Sequence, residues 1–406
     1  MTNEYDVIIA GAGPAGTVCA MYLKKAGKKV LVIDKAKFPR DKVCGDAQGR
    51  KLAKDMKELG IYEDYKKLPG VAIYGLILSS PNGTQIDMDL IDKVKGTPGY
   101  VIKRIDIDNF LFEQTKKFDI EIRERVAVED VVFEGSDIKE LRCKDLETNE
   151  EFTLTAKIYV GADGANSIFA KKLNLKNPPE HFIVALRGYY KNVEGLTDKI
   201  EIHLVKDLLP GYFWIFPLPD NTANVGLGMV IKDMTEKKMK LTDAMKQAIE
   251  ENPLFKERFR NAELDGEILA WNLPLASYHR KCHGGNYMLI GDAAGLIDPL
   301  SGEGVGTASI SARNAANVIV EALDENKIND KFLETYDKRL WEEIGPEIKA
   351  SYRIQRLGKK FPFLLDKVLE KADKNPEFRK KLEAMLPYTE GKQKIGTTQF
   401  ILSLLT

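Results

Sequence analysis

The first part of the chain alternates between apolar runs and a segment of helical periodicity. YDVIIA (residues 5–10) is an apolar run of strand length, TVCAMYLKKAG places its apolar residues at helical spacing, and KKVLVID returns to a strand pattern. The sequence GAGPAG joins the first strand to the helix without a linker. This order predicts a βαβ unit at the start of the chain.

The rest of the chain predicts further sheets and a helical end. Ile73–Met88, which contains the turn SPNG, and Phe182–Trp271 have the apolar runs and turn signals of an antiparallel sheet. Residues 101–117 predict a helix, and residues 120–160 predict a β-meander. Beyond residue 325 the pattern is helical. No internal repeat or low-complexity linker divides the chain.

The glycines of GAGPAG have the spacing of a dinucleotide-binding turn. Gly11 permits the tight turn, Gly13 lets the backbone approach a pyrophosphate, and Gly16 allows the helix to pack closely on the strand. Free N–H groups at the start of the helix favour an anion there. Asp34 ends the second strand, where its carboxylate can accept hydrogen bonds from ribose hydroxyls. The motif therefore predicts a site for an adenosine diphosphate, which NAD and FAD share.

A second segment, almost three hundred residues downstream, decides between these cofactors. The apolar strand at residues 287–290 runs into Gly291 and Asp292, and the glycines of SGEGVG open a new helix after Pro299. GADG at residues 161–164 lies between the two ends. These ordered motifs resemble the para-hydroxybenzoate hydroxylase superfamily of flavoproteins. The resemblance implies that the chain binds FAD and that Asp292 contacts its ribityl chain.

The chain departs from the hydroxylases and resembles a different family more closely. Hydroxylases commonly carry GDAAH and GxGxN, whereas this chain has Gly295 and Gly306 at the last positions, so monooxygenase chemistry is not favoured. PGYFWIFPLPDNTANVGLG contains YxWxFP followed by GxG, and KVCGD occupies residues 42–46. Both segments resemble the geranylgeranyl reductases, flavoenzymes that saturate isoprenoid chains. The likeness runs from about residue 4 to residue 319.

The placement of these motifs implies a discontinuous architecture. The implied fold class is α/β: a Rossmann-like FAD-binding domain of the glutathione reductase type, an antiparallel β-sheet substrate domain and a helical C-terminal region. We assign residues 4–67, 101–176 and 281–325 to the FAD-binding domain, 68–100 and 177–280 to the substrate domain, and 326–406 to the helical C-terminal domain.

The motifs and the resemblance together give a set of predicted FAD-binding residues. The N–H groups of Gly304 and Val305 are expected to face the N1–C2=O edge of the flavin. Arg104 resembles a superfamily arginine that contacts FAD, and Asp163 belongs to the Asp-Gly motif. The complete predicted set is Gly11, Gly13, Ala15, Gly16, Asp34, Lys35, Cys44, Gly45, Arg104, Val126, Asp163, Asp292, Pro299, Gly304 and Val305.

The YxWxFP segment supplies the predicted substrate channel. Its three aromatic residues share one face of a strand, and Pro217 is expected to end the hydrogen-bonded ladder. Two glycines on the return strand, residues 224–230, leave room for rings or for a ligand. The face is either the core of a sheet or an apolar channel, and the resemblance favours the channel. The predicted channel residues are Tyr212, Trp214, Phe216, Gly226 and Gly228.

Cys44 lies in a glycine-containing loop after the βαβ unit. The resemblance places KVCGD close to the flavin, and we predict that Cys44 is catalytic, because a protonated thiol can donate a proton to a carbon centre. A small buried hydrophobic residue is the alternative. The other cysteines, at 19, 143 and 282, have no CxxC spacing, so we expect reduced thiols and no metal site.

Composition limits the class of partners. The 406 residues include 61 basic and 61 acidic side chains, a balance that does not favour nucleic acid. No apolar run approaches the roughly 20 residues needed to span a bilayer, and the early first strand leaves no room for a signal peptide, so we expect a cytoplasmic protein. The lysine-rich residues 361–388 and the apolar segment QFILSLLT either contact an anionic membrane peripherally or cap the apolar pocket.

The predicted function is FAD-dependent reduction of C=C bonds in geranylgeranyl chains of membrane lipids or their precursors. The flavin N5 would deliver a hydride while an acid supplies a proton. A single GxGxxG motif leaves no second nicotinamide domain, so we expect a transient electron donor: NAD(P)H, ferredoxin or a reduced deazaflavin. The alternative is a monooxygenase or a halogenase of the same superfamily. Halogenases carry WxWxIP, where this chain has Tyr212 and Phe216.

Overall fold

A computed structural model of the protein describes residues 5–386, 388–395, 397, 399–400 and 404. The first residue of the predicted FAD-binding domain and most of the QFILSLLT segment lie outside these ranges. Within them, no helix combines the length and the apolar composition needed to cross a membrane.

The strands form four sheets. They are β1 (Tyr5–Ala10), β2 (Val30–Asp34), β3 (Ala47–Gln48), β4 (Gly70–Ile73), β5 (Gly75–Ser79), β6 (Gln85–Asp89), β7 (Gly99–Ile102), β8 (Glu121–Glu124), β9 (Val126–Glu134), β10 (Asp137–Asp145), β11 (Glu151–Leu154), β12 (Ala156–Gly161), β13 (Phe182–Lys191), β14 (Lys199–His203), β15 (Tyr212–Leu218), β16 (Thr222–Val230), β17 (Glu263–Pro274) and β18 (Tyr287–Leu289).

The helices lie on the faces of these sheets and at the end of the chain. They are α1 (Pro14–Lys25), α2 (Arg50–Leu59), α3 (Tyr62–Tyr65), α4 (Arg104–Lys117), α5 (Ile168–Lys172), α6 (Ile231–Glu236), α7 (Leu241–Glu251), α8 (Val305–Asp324), α9 (Asp330–Lys360), α10 (Phe363–Lys374), α11 (Pro376–Met385) and α12 (Thr389–Ile395).

The first sheet is parallel and has the strand order β18-β12-β1-β2-β8. The predicted βαβ unit is confirmed as β1, α1 and β2. Helices α1 and α8 pack together over this sheet, and the largest apolar core of the protein surrounds both. Because the strands are parallel, their carboxyl ends share one edge, where ligands bind in folds of this kind. That edge carries four of the predicted motifs, each at the end of a strand: GAGPAG, Asp34, GADG and Gly291-Asp292.

The largest sheet has seven strands in the order β17-β13-β16-β15-β14-β5-β6. Its pairs are antiparallel except that β14 lies parallel to β5, so the prediction of a purely antiparallel sheet was wrong at this pair. No hairpin joins β5 to β14, and alternating side chains fit either direction. Pro217 does not end the ladder. The pairing of β15 with β14 stops at Ile215, but its pairing with β16 continues through Pro217 to Leu218.

Two further sheets have three strands each. β9, β10 and β11 form the predicted meander over part of residues 120–160. β7 pairs with β3 and β4, so the predicted helix at residues 101–117 begins only at Arg104. A short apolar run such as GYVI does not distinguish a strand from a helix. The predicted domain boundary between residues 100 and 101 falls inside β7, and the other boundaries stay predictions.

The two glycines of β16 allow a stability test. A Cβ at Gly226 would lie 2.2 Å from the Leu186 carbonyl oxygen and 2.2 Å from the Trp214 ring, whereas a Cβ at Gly228 would lie 3.3 Å from its nearest neighbour, Ile183. We expect Gly226→Ala to lower the free energy of unfolding by about 1–3 kcal/mol, because the overpacked strand must shift.

Gly228→Ala is the matched control and should lower the free energy of unfolding clearly less than Gly226→Ala. Urea unfolding of both variants and the wild type measures the difference. Equal losses for the two variants would contradict the close approach of Trp214 to β16.

Candidate functional site

One cavity of about 1160 Å³ lies between the parallel sheet and the seven-stranded sheet. Every predicted FAD-binding residue except Gly16 lines it, as does every predicted channel residue except Gly226. Gly16 lies beneath the cavity, where an added Cβ would be 1.8 Å from the Gly11 carbonyl oxygen. Gly226 is covered by the Trp214 ring. Both glycines therefore serve close packing.

The glycine turn leaves space for a ligand against the backbone. Gly11 has a φ of +110°, and a Cβ there would lie 2.3 Å from the carbonyl oxygen of Ala162, so only glycine fits. A Cβ at Gly13 would meet only the Arg40 guanidinium, at 3.5 Å. No side chain caps the N-terminus of α1, so its first N–H groups are left for an anionic ligand.

Three carboxylates line the same part of the cavity. Asp34 accepts hydrogen bonds from the N–H groups of Ala12 and Ala36, at 2.7 and 2.8 Å, which fix its carboxylate at the end of β2. One oxygen of Asp163 accepts the N–H of Ile168 at 2.7 Å. Its other oxygen is buried and has no hydrogen-bond partner in the described part of the chain. Burial raises the pKa of Asp163, so a ligand hydroxyl would satisfy an otherwise costly group.

Asp292 stands at the end of β18 and forms an ion pair with Lys42, with 3.0 Å between Nζ and Oδ2. The two side chains remain partly exposed to the cavity. A polyol at this position can accept hydrogen bonds from Lys42 and donate them to Asp292. The glycine turn, the unpartnered Asp163 oxygen and this pair suit the pyrophosphate and hydroxyl groups of FAD.

The loop before α8 forms the next section of the wall. Asp298 holds it by accepting the N–H groups of Leu300 and Ser301, at 2.9 and 2.8 Å. The Tyr212 hydroxyl donates to the carbonyl of Ser301. Gly304 precedes α8 without a side-chain cap, so the N-terminus of α8 is open toward the cavity. The aromatic strand β15 is thus tied to the loop that carries the second nucleotide motif.

The aromatic residues of β15 share one face, as predicted. The ring centroids of Tyr212 and Trp214 are 6.2 Å apart, and those of Trp214 and Phe216 are 6.1 Å apart. Neighbouring strands of the same sheet add aliphatic and aromatic side chains to this half of the cavity. These residues are Ile183, Ala185, Ile200, Ile202, Trp271 and Leu273.

The KVCGD loop lies directly against β15. A Cβ at Gly45 would be 3.1 Å from the Phe216 ring, and Cys44 is half-buried at the cavity wall. Asn224 donates to the Cys44 carbonyl and to Asp46, both at 2.8 Å. The Trp214 indole N–H in turn donates to the Asn224 side-chain oxygen at 2.9 Å. The loop and the aromatic strand are therefore held by one amide side chain.

Asp46 and Asn224 were missed as functional residues from the sequence. Asp46 is fully buried and also accepts the Tyr189 hydroxyl at 2.7 Å and the Arg104 N–H at 3.1 Å. Burial raises the pKa of Asp46 to about 6, although the hydrogen bonds from Tyr189 and Asn224 and the Arg187 charge act in the opposite direction. The only sequence signal was the position of Asp46 within KVCGD.

Arg104 is buried beside the cavity in a paired state. Its guanidinium donates two hydrogen bonds to Asp108, at 2.7 and 2.6 Å, and Arg40 reaches the same carboxylate at 2.7 Å. Burial lowers the pKa of Arg104, but Asp108 and an interaction with Cys44 raise it above its ordinary value. Arg104 therefore places a permanent positive charge next to Cys44.

Comparison with known proteins agrees with this geometry. The FAD binding domain family matches residues 4–341. A digeranylgeranylglycerophospholipid reductase of Methanococcus aeolicus is 30% identical over 369 residues, which cover 89% of each chain.

Solved structures show the same fold. A geranylgeranyl bacteriochlorophyll reductase-like protein from Thermoplasma acidophilum has a TM-score of 0.81 at 23% identity, covering 99% of this chain and 95% of that one. A flavin-dependent brominase has a TM-score of 0.77 at 22% identity, covering 94% and 93%. At this level of identity both structures support the fold alone. The family match and the curated relative nevertheless show that the chain belongs to the FAD binding domain family, in its geranylgeranyl reductase group, with FAD as cofactor.

Proposed function

We propose that the protein is an FAD-dependent reductase that saturates C=C bonds of geranylgeranyl chains in membrane lipids or their precursors. The observation that carries this proposal is that one cavity contains both a dinucleotide half and an apolar half, which meet at Cys44, Gly45 and the loop before α8. The name of the Methanococcus relative supports the same substrate class.

In this proposal the predicted FAD-binding residues hold the cofactor along the edge of the parallel sheet. Gly13 and the N-terminus of α1 take the pyrophosphate, and Asp34 takes the adenosine ribose. Asp292 with Lys42 takes the ribityl hydroxyls, and the N-terminus of α8 stabilises negative charge on the ring. When bound and reduced, FAD supplies a hydride equivalent to the substrate.

The apolar half of the cavity positions the alkene and excludes water. An isolated trisubstituted alkene is a poor hydride acceptor, so it must be held close to the donor and protonated. Trp214 and Phe216 line this half of the cavity, where an aromatic ring face can stabilise a developing positive charge on the substrate. The orientation of the Trp214 ring is fixed by its hydrogen bond to Asn224.

We assign the proton to Cys44, which is the thiol that lines the cavity beside the aromatic wall. Asp46 holds the Cys44 loop in place through Asn224 and thereby acts as a positioning residue. Electrons come from a transient donor, for which NAD(P)H, a ferredoxin and a reduced deazaflavin remain the candidates.

The direct test is reduction of a geranylgeranyl phospholipid by the anaerobically reduced holoenzyme. Mass spectrometry should show a stepwise gain of two hydrogens per double bond, and the same reaction in D2O should add deuterium instead, because the flavin N5–H and the Cys44 thiol both exchange with solvent. Bound FAD with substrate-stimulated oxygen uptake and no saturated product would instead indicate a monooxygenase or a halogenase.

Replacing Cys44 with Ala should lower turnover by about 100-fold or more, because a positioned general acid typically contributes that much. The affinity for FAD and the flavin absorption spectrum should stay close to wild type. Cys143→Ala is the matched control, since Cys143 is buried in β10 away from the cavity. Unchanged turnover in Cys44→Ala would remove Cys44 from the mechanism.

Asp46 gives a pH test of the buried site. Its pKa is raised from 3.8 to about 6 in the folded protein, so between these values the folded state keeps a proton that the unfolded state has lost. Stability should therefore fall as pH rises from about 4 to about 6, by an amount on the order of 2–3 kcal/mol, and then level off. Asp46→Asn removes the titrating carboxyl group, so the part of this pH dependence that comes from Asp46 should be absent in the variant.

Urea unfolding of the wild type and Asp46→Asn across this range measures the difference between the two curves. The two proteins must be compared because Asp337, whose pKa burial also raises to about 6, titrates in the same pH range in both. Parallel curves would show that Asp46 ionises normally in the folded state.

A further inference from the structure

The turn between α9 and α10 exposes two aromatic side chains that belong to none of the apolar cores formed by the described residues. Phe361 and Phe363 are 36% and 56% exposed, and their rings contact each other edge-on with centroids 6.2 Å apart. Helix α10 itself is anchored, because Leu369 and Ala372 pack with residues of β5 and β6. The exposed pair is therefore held on a fixed element and is not part of a loose end.

The surroundings of this pair are strongly basic. Residues 352–371 contain two acidic side chains, Asp366 and Glu370. In the same range there are six basic side chains, Arg353, Arg356, Lys359, Lys360, Lys367 and Lys371. Lys359 is paired with Asp233, whereas Arg356 and Lys360 form no ion pair with any residue that the structure describes. Arg356 and Lys360 instead lie over the rings of Tyr352 and Phe361, at 5.8 and 5.3 Å from the centroids. Exposed rings beside such cations are complementary to an anionic lipid surface.

A second cavity of about 410 Å³ opens beside the turn. It is lined by three basic side chains and two acidic ones: Arg356, Lys359, Lys360, Glu180 and Asp233. Pro210 lines this cavity and the main cavity as well, so the two adjoin. The second cavity thus joins the surface beside the turn to the apolar half of the functional site.

We propose that the Phe361–Phe363 turn inserts into an anionic bilayer, where Arg356 and Lys360 contact lipid phosphates. In the same proposal a lipid chain enters the functional site through the second cavity. Binding to the bilayer is supported by the exposed rings and cations alone, while the delivery of a lipid chain rests on the proposed function. Exposed aromatic rings at the headgroup level and cations beside them are the usual combination for such contacts.

A second copy of this chain is a poorer occupant of the surface. Two copies related by a twofold axis would bring the same patch together. Arg356 and Lys360 of each copy would then face like charges without neutralising partners. An anionic bilayer removes that repulsion.

The experiment is flotation of the FAD-loaded enzyme with vesicles of phosphatidylglycerol or of phosphatidylcholine. We expect the wild type to bind the anionic vesicles, Phe361→Ser/Phe363→Ser to bind at least about tenfold more weakly, and Arg356→Gln/Lys360→Gln to lose the preference for anionic lipid. Leu264→Ser is the matched control, because Leu264 is 43% exposed on β17 and lines neither cavity.

Three results would overturn the proposal: equal vesicle binding by the wild type and the double Phe variant, equal binding to both lipids, or a wild-type dimer in sedimentation velocity that the double variant abolishes. Reduction of vesicle-embedded and detergent-dispersed geranylgeranyl lipid separates the two proposals. The double Phe variant should lose the first activity and keep the second. A wild type that binds vesicles and reduces neither form contradicts the proposed function and leaves the docking surface intact.

Discussion

The Asn224 amide is the interaction on which the functional site depends. Its two ends bind different parts of the protein: the nitrogen donates to Cys44 and Asp46 of one loop, and the oxygen accepts from Trp214 of the neighbouring strand. Buried polar groups must be satisfied, so this residue cannot turn without leaving several partners unpaired. The cofactor edge of the parallel sheet and the wall of the seven-stranded sheet are therefore held in one fixed relation.

The fold leaves the chemistry open, and the lining of the cavity has to specify it. A brominase and a reductase-like protein share this architecture at similar identity. In this chain the lining consists of an aromatic face on β15, aliphatic side chains from β13 and β14, and a cysteine where the two halves meet. These features suit a long apolar substrate. The residues that line the cavity, and not the order of the strands, therefore determine the reaction.

The sequence was most informative where local chemistry dictates structure. The glycine turn, Asp34 and the aromatic alternation were predictable because tight turns, strand ends and period-two faces leave few alternatives. The direction of β5 relative to β14 and the start of α4 were not, because they depend on partners far along the chain. The same holds for Asn224, which reads as an ordinary strand residue until its three partners, distant in sequence or on the opposite strand, are placed.

The hydrogen bond from Tyr212 to the Ser301 carbonyl joins the walls of the two proposed ligand sites. Tyr212 belongs to the wall of the apolar half, and Ser301 belongs to the loop in front of α8. Under the proposed function, a lipid that displaces the tyrosine would also displace that loop, so each ligand would alter the affinity of the other by the same factor. Occupancy of the channel would then change the affinity for the cofactor before any electron moves.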